Sequence, residues 1–279
     1  VPVDTDIIVQ LDHTSDGASL ANDSFNVDGS QTGRHTGTFS GGGTDTVTYD
    51  PDTDFAPGEV VTITLTTEIF ESAGAPLAPA NTWQYTVDSG NGSGEFPKQQ
   101  IISTTADGAI SVYAADMDGD GDLDVLAGSS RDNTITWYEN GNAWAKTTIS
   151  TTEYFSGRIC AADMDGDGDM DVLSPSGDTN WYENGNAWAK TTITFYGSHS
   201  VFAVDMDMDG DLDVLSSNSS NDDDISWYEN GNVWAEHDIP SLEVYVECMH
   251  VADLDGDGDM DVISSGSYDD DHIAWYKNG

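Results

Sequence analysis

The sequence predicts an all-β protein in two parts, a small N-terminal β-sandwich followed by a four-bladed β-propeller with Asp-rich loops. Three observations predict it. A nine-residue ladder, Asp116-Met117-Asp118-Gly119-Asp120-Gly121-Asp122-Leu123-Asp124, returns at Asp163, Asp205 and Asp253, at intervals of 47, 42 and 48 residues, which is the period of a repeat architecture. Each interval holds four short strand-like segments, the number in a propeller blade. Residues 1–88 contain no ladder and read as alternating strands punctuated by Gly, Pro and Asp.

In residues 1–88, Ile7, Val9 and Leu11 share one strand face. Val47 and Tyr49 do the same, as do Val61, Ile63 and Leu65, and then Trp83, Tyr85 and Val87. Short strands with one apolar face each make a sandwich. The stretch from Tyr49 to Val60, YDPDTDFAPGEV, is followed by TITLTTEI and later by AGAPLAPANTWQYTV. In these residues the chain resembles the bacterial Ig-like domain first known from S-layer proteins, and the resemblance implies an Ig-like sandwich. Members of that family usually carry an extra strand and a Pro-containing turn upstream of the position of Val1. Their lack here implies either cleavage, the favoured reading, or a strand supplied by a neighbouring molecule through β-augmentation. Residues 89–95, within DSGNGSGE, have the composition of a flexible linker.

From residue 96 to 279 the units repeat. In the first unit the strand segments are KQQIIS, ISVYAA before the ladder, DVLAGS after it, and NTITWYENG; the next unit opens with AWAKTTIS, which matches FPKQQIIS in place. A Trp-Tyr pair recurs at Trp137-Tyr138, Trp181-Tyr182, Trp227-Tyr228 and Trp275-Tyr276, with Asn-Gly one residue later each time. These units resemble the FG-GAP/VCBS repeats of integrin-like and bacterial secreted propellers. The resemblance implies that a DxDxDGxxD loop between the first two strands of each blade holds Ca2+. The segment begins with a last-in-blade strand and stops where the final blade needs one. Lys98–Ser103 is therefore expected to close a four-bladed ring, with truncation of a seven-bladed one as the alternative.

The ladder's chemistry can be read without the resemblance. Five carboxylates in nine residues repel one another, at about 4 kcal/mol for a pair 4 Å apart at an effective dielectric near 20, so the loop requires a cation. Oxygen-only ligands at alternate positions suit Ca2+ rather than Zn2+, which recruits Cys or His. By analogy with the EF-hand loop, positions 1, 3 and 5 supply side chains, the Gly at position 6 makes the turn, and position 7 offers its carbonyl. An Asp at position 9 replaces the EF-hand's later Glu and leads into a strand, which argues against helix-loop-helix. The expected side-chain ligands are Asp116, Asp118, Asp120 and Asp124; Asp163, Asp165, Asp167 and Asp171; Asp205, Asp207, Asp209 and Asp213; and Asp253, Asp255, Asp257 and Asp261. The carbonyls of Asp122, Asp169, Asp211 and Asp259 would complete about four Ca2+ sites, one per repeat. In the third ladder Met208 stands where the others have Gly, which predicts a stiffer loop. The competing reading is four solvated turns, which near-identical copies disfavour.

Composition sets the context. The formal charge is -45, and without the 20 ladder Asp there remain 32 acidic against 7 basic residues. That surface repels nucleic acid and anionic membranes and suits saline surroundings. No apolar run is long enough to span a membrane, and millimolar external Ca2+ points to an extracellular or cell-surface home in a bacterium or archaeon. Cys160 and Cys248 precede their ladders by three and five residues, on equivalent strands, as a disulfide or as two thiols. His13, His35, His199, His237, His250 and His272 show no ligand spacing, and no nucleophile elbow or phosphate loop occurs. The ladders are too equivalent to divide acid and base roles, so the expectation is a non-enzymatic protein. The Trp-Tyr pairs either stack sugars or fill the spaces between blades, and packing is the stronger reading. The runs Asp222–Asp224 and Asp269–Asp271 read as solvated loop tips. Together these readings predict a calcium-binding protein of adhesion, display or assembly, such as a surface-layer or filament subunit, with other protein chains or further copies as partners. A carbohydrate-binding propeller with glycan ligands and the accessory region of a secreted enzyme are the alternatives.

Overall fold

The computed structural model describes residues 2, 4–21, 24–66, 69–71, 74, 81–88, 98–154, 157–195, 197–218, 225–240, 246–266 and 273–279. The expected linker at 89–95, the acidic runs 222–224 and 269–271, and His272 lie outside the described residues. Among the described residues every regular element is a strand, and no helix is long and apolar enough to cross a membrane.

The N-terminal part has strands β1 (Ile7–Gln10), β2 (Phe25–Gly29), β3 (Gly33–Arg34), β4 (Gly37–Ser40), β5 (Thr46–Pro51), β6 (Val60–Leu65) and β7 (Asn81–Thr86). They form two antiparallel sheets, ordered β1-β5-β4 and β3-β2-β6-β7. The period-2 apolar faces meet between the sheets, where Phe25, Val27, Val47, Tyr49, Phe55, Val61, Ile63, Ile69 and Val87 are buried. Register follows the faces, with Val9 opposite Val47, Val27 opposite Ile63 and Ile63 opposite Trp83. The other face of the larger sheet is polar, yet Asn26, Thr64 and Thr82 on it are also buried. They are covered by the repeats.

The repeat region forms four antiparallel sheets in chain order. The first comprises β8 (Ala109–Ala115), β9 (Asp124–Ser129), β10 (Thr134–Glu139) and β11 (Ala145–Ser150). The second comprises β12 (Cys160–Ala162), β13 (Asp171–Ser176), β14 (Asp178–Glu183) and β15 (Ala189–Thr194). The third comprises β16 (Ser198–Val204), β17 (Asp213–Asn218), β18 (Ile225–Glu229) and β19 (Ala235–Ile239). The fourth has three strands, β20 (Val246–Ala252), β21 (Asp261–Gly266) and β22 (Ile273–Tyr276). Each ladder joins the first two strands of its sheet, as the unit pattern predicts.

Successive sheets pack through three apolar cores, and the ladders' own apolar residues fill them. Met117 and Met170 join the core between sheets one and two, Met164 that between two and three, and Met206 and Met260 that between three and four. The Trp-Tyr pairs also pack. Tyr138, Tyr182 and Tyr228 are buried, while Trp188 and Trp234, which follow the Asn-Gly turns, meet Trp137 and Trp181 of the preceding sheet edge-on at 6.4 and 6.0 Å between ring centroids. Cys160 on β12 and Cys248 on β20 are free thiols. Arg158 Nη1 lies 3.9 Å from Cys248 Sγ, so the inner strands of sheets two and four face each other.

The expected closing strand is corrected. Lys98–Ser103 is not in a strand, and among the described residues the fourth sheet stays at three. Thr105 donates its N–H to Ser103 Oγ at 3.2 Å, a local turn that competes with an extended backbone. In sheets one to three the outer strand is the second arm of a local hairpin, whereas Lys98–Ser103 would have to pair across the whole repeat region at a larger closure entropy. Ile110 and Val112 on β8, and Ile273 and Trp275 on β22, are exposed.

Candidate metal centres

The ladder folds into a loop because its first and last carboxylates collect the loop's amides. In the first repeat Asp116 accepts the N–H groups of Gly119 and Gly121, both at 2.9 Å. Asp124 accepts the N–H of Met117 at 3.1 Å and that of Asn140, from the Asn-Gly turn, at 2.7 Å. The same pair of bonds holds Asp171, Asp213 and Asp261. Positions 3 and 5 cap the next turns, as when Asp120 N–H donates to Asp118 and Asp122 N–H to Asp120. Such amide nests leave carboxylate oxygens pointing inward. Position 4 is left-handed in every ladder, with φ of 72° at Gly119, 73° at Gly166 and 79° at Gly256, and Met208 is held at 61°. The third loop therefore keeps the common shape, with a strained Met208 at position 4.

Three carboxylates converge to within 4.8 Å in each loop: Asp116, Asp118 and Asp124; Asp163, Asp165 and Asp167; Asp205, Asp207 and Asp213; Asp253, Asp255 and Asp261. The expected ligands Asp120, Asp209, Asp257 and Asp171 lie outside these tightest groups, as do the side chains of Asp122, Asp169, Asp211 and Asp259, whose carbonyls alone were expected to serve. Position 9 is buried in every ladder and position 1 in the first three, and burial shifts the protonation of several ladder carboxyls. It raises Asp171 and Asp205 to about 7 and Asp213 to about 8. Asp116, Asp118, Asp163, Asp165 and Asp207 are also raised, chiefly by burial, and neighbouring carboxylates add to it. A cation reverses both causes.

Whether the residues fit a metal can be tested on the least satisfied atoms. Asp163 Oδ1 and Asp205 Oδ1 are buried without a hydrogen-bond donor, while the Oδ2 of each accepts an amide. A buried carboxylate oxygen left unpartnered costs about 1–3 kcal/mol or more, and here both oxygens belong to converging all-oxygen groups, the donor set of a hard divalent cation. The fit is to Ca2+, whose chemistry here is to neutralise the carboxylates and fix the loop. Positions 1, 3 and either 5 or 9 would hold it.

Two sets of residues escaped the sequence reading. Asn184, Asn230 and Asn278 each donate a side-chain N–H to the position-2 carbonyl of the preceding ladder, those of Met117, Met164 and Met206, at 2.9, 2.7 and 3.1 Å. Their signal was the invariant spacing after Trp-Tyr. The second set lies in the sandwich, whose polar sheet face is seated on all four ladders. The main-chain carbonyl of Gln31 accepts the N–H of Asp116 at 2.9 Å, Arg34 N–H donates to Asp163 Oδ2 at 3.2 Å, and Thr82 N–H donates to Gly258 O at 3.1 Å. Asn26 Nδ2 and Arg34 Nη1 both donate to Gly210 O at 2.9 Å. A Cβ on Gly210 would stand 2.0 Å from Asn26 Nδ2, and one on Gly258 2.2 Å from Asn81 Nδ2. In the third and fourth ladders position 6 is thus glycine for close approach as well as for its turn, while in the first two, at Gly121 and Gly168, only the turn requires it. Beside these contacts a cavity of about 420 Å3 is lined by Asp28, Thr62 and Tyr85 of the sandwich and by Tyr113, Phe202 and His250 of the inner strands. Burial raises Asp28 there to about 6 against the pull of Arg34.

Comparison with known proteins agrees with this construction. Residues 1–87 match the bacterial Ig-like domain. Residues 77–127, 116–174 and 205–264 match the FG-GAP-like repeat, and these segments contain all four ladders. No curated protein matches the chain. Among solved structures, a structural genomics protein of unknown function from Bacteroides thetaiotaomicron VPI-5482 is similar, with 11% identity and a TM-score of 0.39, over 99% of this chain and 80% of that one. With the repeat matched over more than half of its length, the chain belongs to the FG-GAP-like repeat family and carries a bacterial Ig-like domain at its N-terminus.

Proposed function

We propose that this is an extracellular, calcium-braced structural protein that works in attachment, display or assembly at a cell surface, and not as an enzyme. The observation that carries the reading is the set of four converging carboxylate groups, two of which hold a buried oxygen with no donor. Ca2+ binds one ion per ladder and makes each loop a fixed strut between the first two strands of its sheet. A site held at 100 times its dissociation constant adds about 2.7 kcal/mol to the folded state. The four sheets act as blades of a propeller whose loop side carries the Ig-like domain. The acidic surface and the domain types support an extracellular location, and protein surfaces rather than nucleic acid are the partners such a charge admits. The tryptophans of the first three Trp-Tyr pairs are occupied by packing, which favours a scaffold over a sugar-stacking module. Calcium titration by calorimetry tests the reading. Replacing Asp163 and Asp171 together by Asn should remove one bound Ca2+ per chain, and an unchanged stoichiometry would contradict it.

A further inference from the structure

Between the Trp-Tyr pair and the Asn-Gly turn the first three repeats carry a glutamate, Glu139, Glu183 and Glu229, and the fourth carries Lys277. The position is adjacent to the ladder in space, because the Asn that follows it donates its backbone N–H to the position-9 Asp in every repeat. The glutamates lean away from the ladder. Asn142 Nδ2 donates to Glu139 and Asn186 Nδ2 to Glu183, both at 2.9 Å, and Glu229 pairs with His237 at 3.0 Å. They still contribute negative field, Glu183 at Asp165 and Glu229 at Asp207.

Lys277 does the opposite. Its Nζ lies 2.5 Å from Asp255 Oδ2 and 3.0 Å from Asp257 Oδ2. Asp255 is one of the three carboxylates that converge in the fourth loop, and Asp257 is its position 5. The ammonium therefore engages one of the three carboxylates that a divalent ion would need, together with the position-5 carboxylate beside it. Resting on the calcium reading above, we infer that Lys277 sets calcium affinity, making the fourth ladder a weak site beside three strong ones. A Ca2+ entering that loop must displace the ammonium from two carboxylates. Once bound, it has a positive charge nearby where the other loops supply a negative one. The same ammonium relieves carboxylate repulsion in the ion-free loop, so the fourth repeat depends least on calcium for its order. The chain then has two calcium thresholds, one at which three loops fill and a higher one at which the last loop fills.

Calcium titration of the full chain by calorimetry, with native mass spectrometry to count ions, tests this in the parent, K277E and K277Q. The parent should bind three ions in one class and a fourth about fivefold more weakly, the scale of an ion pair that is largely solvated. K277E should bind four ions in one class. K277Q should tighten the weak site without adding repulsion, and it reads the same quantity if K277E does not fold. Four equivalent sites in the parent, or an unmoved weak site in both variants, would overturn the role of Lys277 while leaving the calcium reading intact. No calcium bound to any of the three proteins would overturn both.

Discussion

The second and fourth repeats carry nearly the same ladder, DMDGDGDMD and DLDGDGDMD, yet the two loops live in different surroundings. In the second, Asp163 is buried under the sandwich, Met164 is 2% exposed in the core shared with sheet three, and Trp181 is covered by Trp234. In the fourth, Leu254 at the same ladder position as Met164 is 47% exposed, Trp275 is 52% exposed, and the sheet has three strands. Both loops share the amide bonds to positions 1, 5 and 9, so the ladder dictates most of its own shape, but Asp253 Oδ1 also accepts the N–H of Gly256 at 2.7 Å whereas Asp163 Oδ1 has no donor. What differs is the packing neighbour: the position-2 residues and the Trp-Tyr tryptophans of the first three repeats lie in cores shared with the following sheet, whereas among the described residues Leu254 and Trp275 of the fourth have no such cover. Repeat arrays owe their stability to such nearest-neighbour interfaces.

The largest expected effect separates the two loops directly. Met164→Ala removes a buried side chain and should cost about 2–5 kcal/mol, whereas Leu254→Ala should fall within about 0.5 kcal/mol, as surface changes do; chemical denaturation in saturating calcium measures both. Equal costs would mean that the fourth loop is covered in solution.

Protonation gives the next effect. Without metal, burial raises the carboxyls of Asp171 and Asp205 to about 7 and that of Asp213 to about 8, against 3.8 as the ordinary value. The folded chain then holds more protons than the unfolded one between those limits, so stability is greatest on the acid side and is lost as pH rises through 7 to 8. Melting in EDTA should fall from pH 5 to pH 8. In calcium, which needs the carboxylates charged, it should hold or rise over the same range.

A subtler test asks whether the asymmetry is confined to the forward side of the fourth repeat. Asn278 reaches back to Met206 O as Asn184 reaches back to Met117 O, while Asn140 has its own ladder's Leu123 O as its side-chain acceptor. Asn184→Ala and Asn278→Ala should each cost about 1–3 kcal/mol for the acceptors they strand, and Asn140→Ala less. The smallest effect belongs to Met208, a side chain in the left-handed region at φ 61°. Met208→Gly should stabilise by about 1 kcal/mol through relief of that strain, read as a small rise in midpoint.

The comparison also marks what the sequence makes legible. The nine-residue ladder, the four-strand unit of about forty-five residues and the period-2 sandwich faces are local patterns, and they appear where the sequence places them, the fourth strand of the last unit excepted. The closing strand does not, because Lys98–Ser103 depends on pairing across the whole region while a local Ser103 turn competes. The seating of Asn26, Arg34 and Thr82 on the loops was hidden for a similar reason, since alternation shows that a face is polar but not what covers it. The ladder's Met residues were overlooked because charge dominates the motif, although they are what carries one sheet into the next.

Thermal unfolding of the full chain, in 2 mM Ca2+ and again in excess EDTA, bears most directly on the claim that calcium braces the blades. About 2.7 kcal/mol per saturated site converts to roughly 5–10 °C each for a domain of this size. The account predicts a drop of at least that much on chelation, reversed by adding calcium back. A melting point that does not move, with no calcium bound, would contradict it.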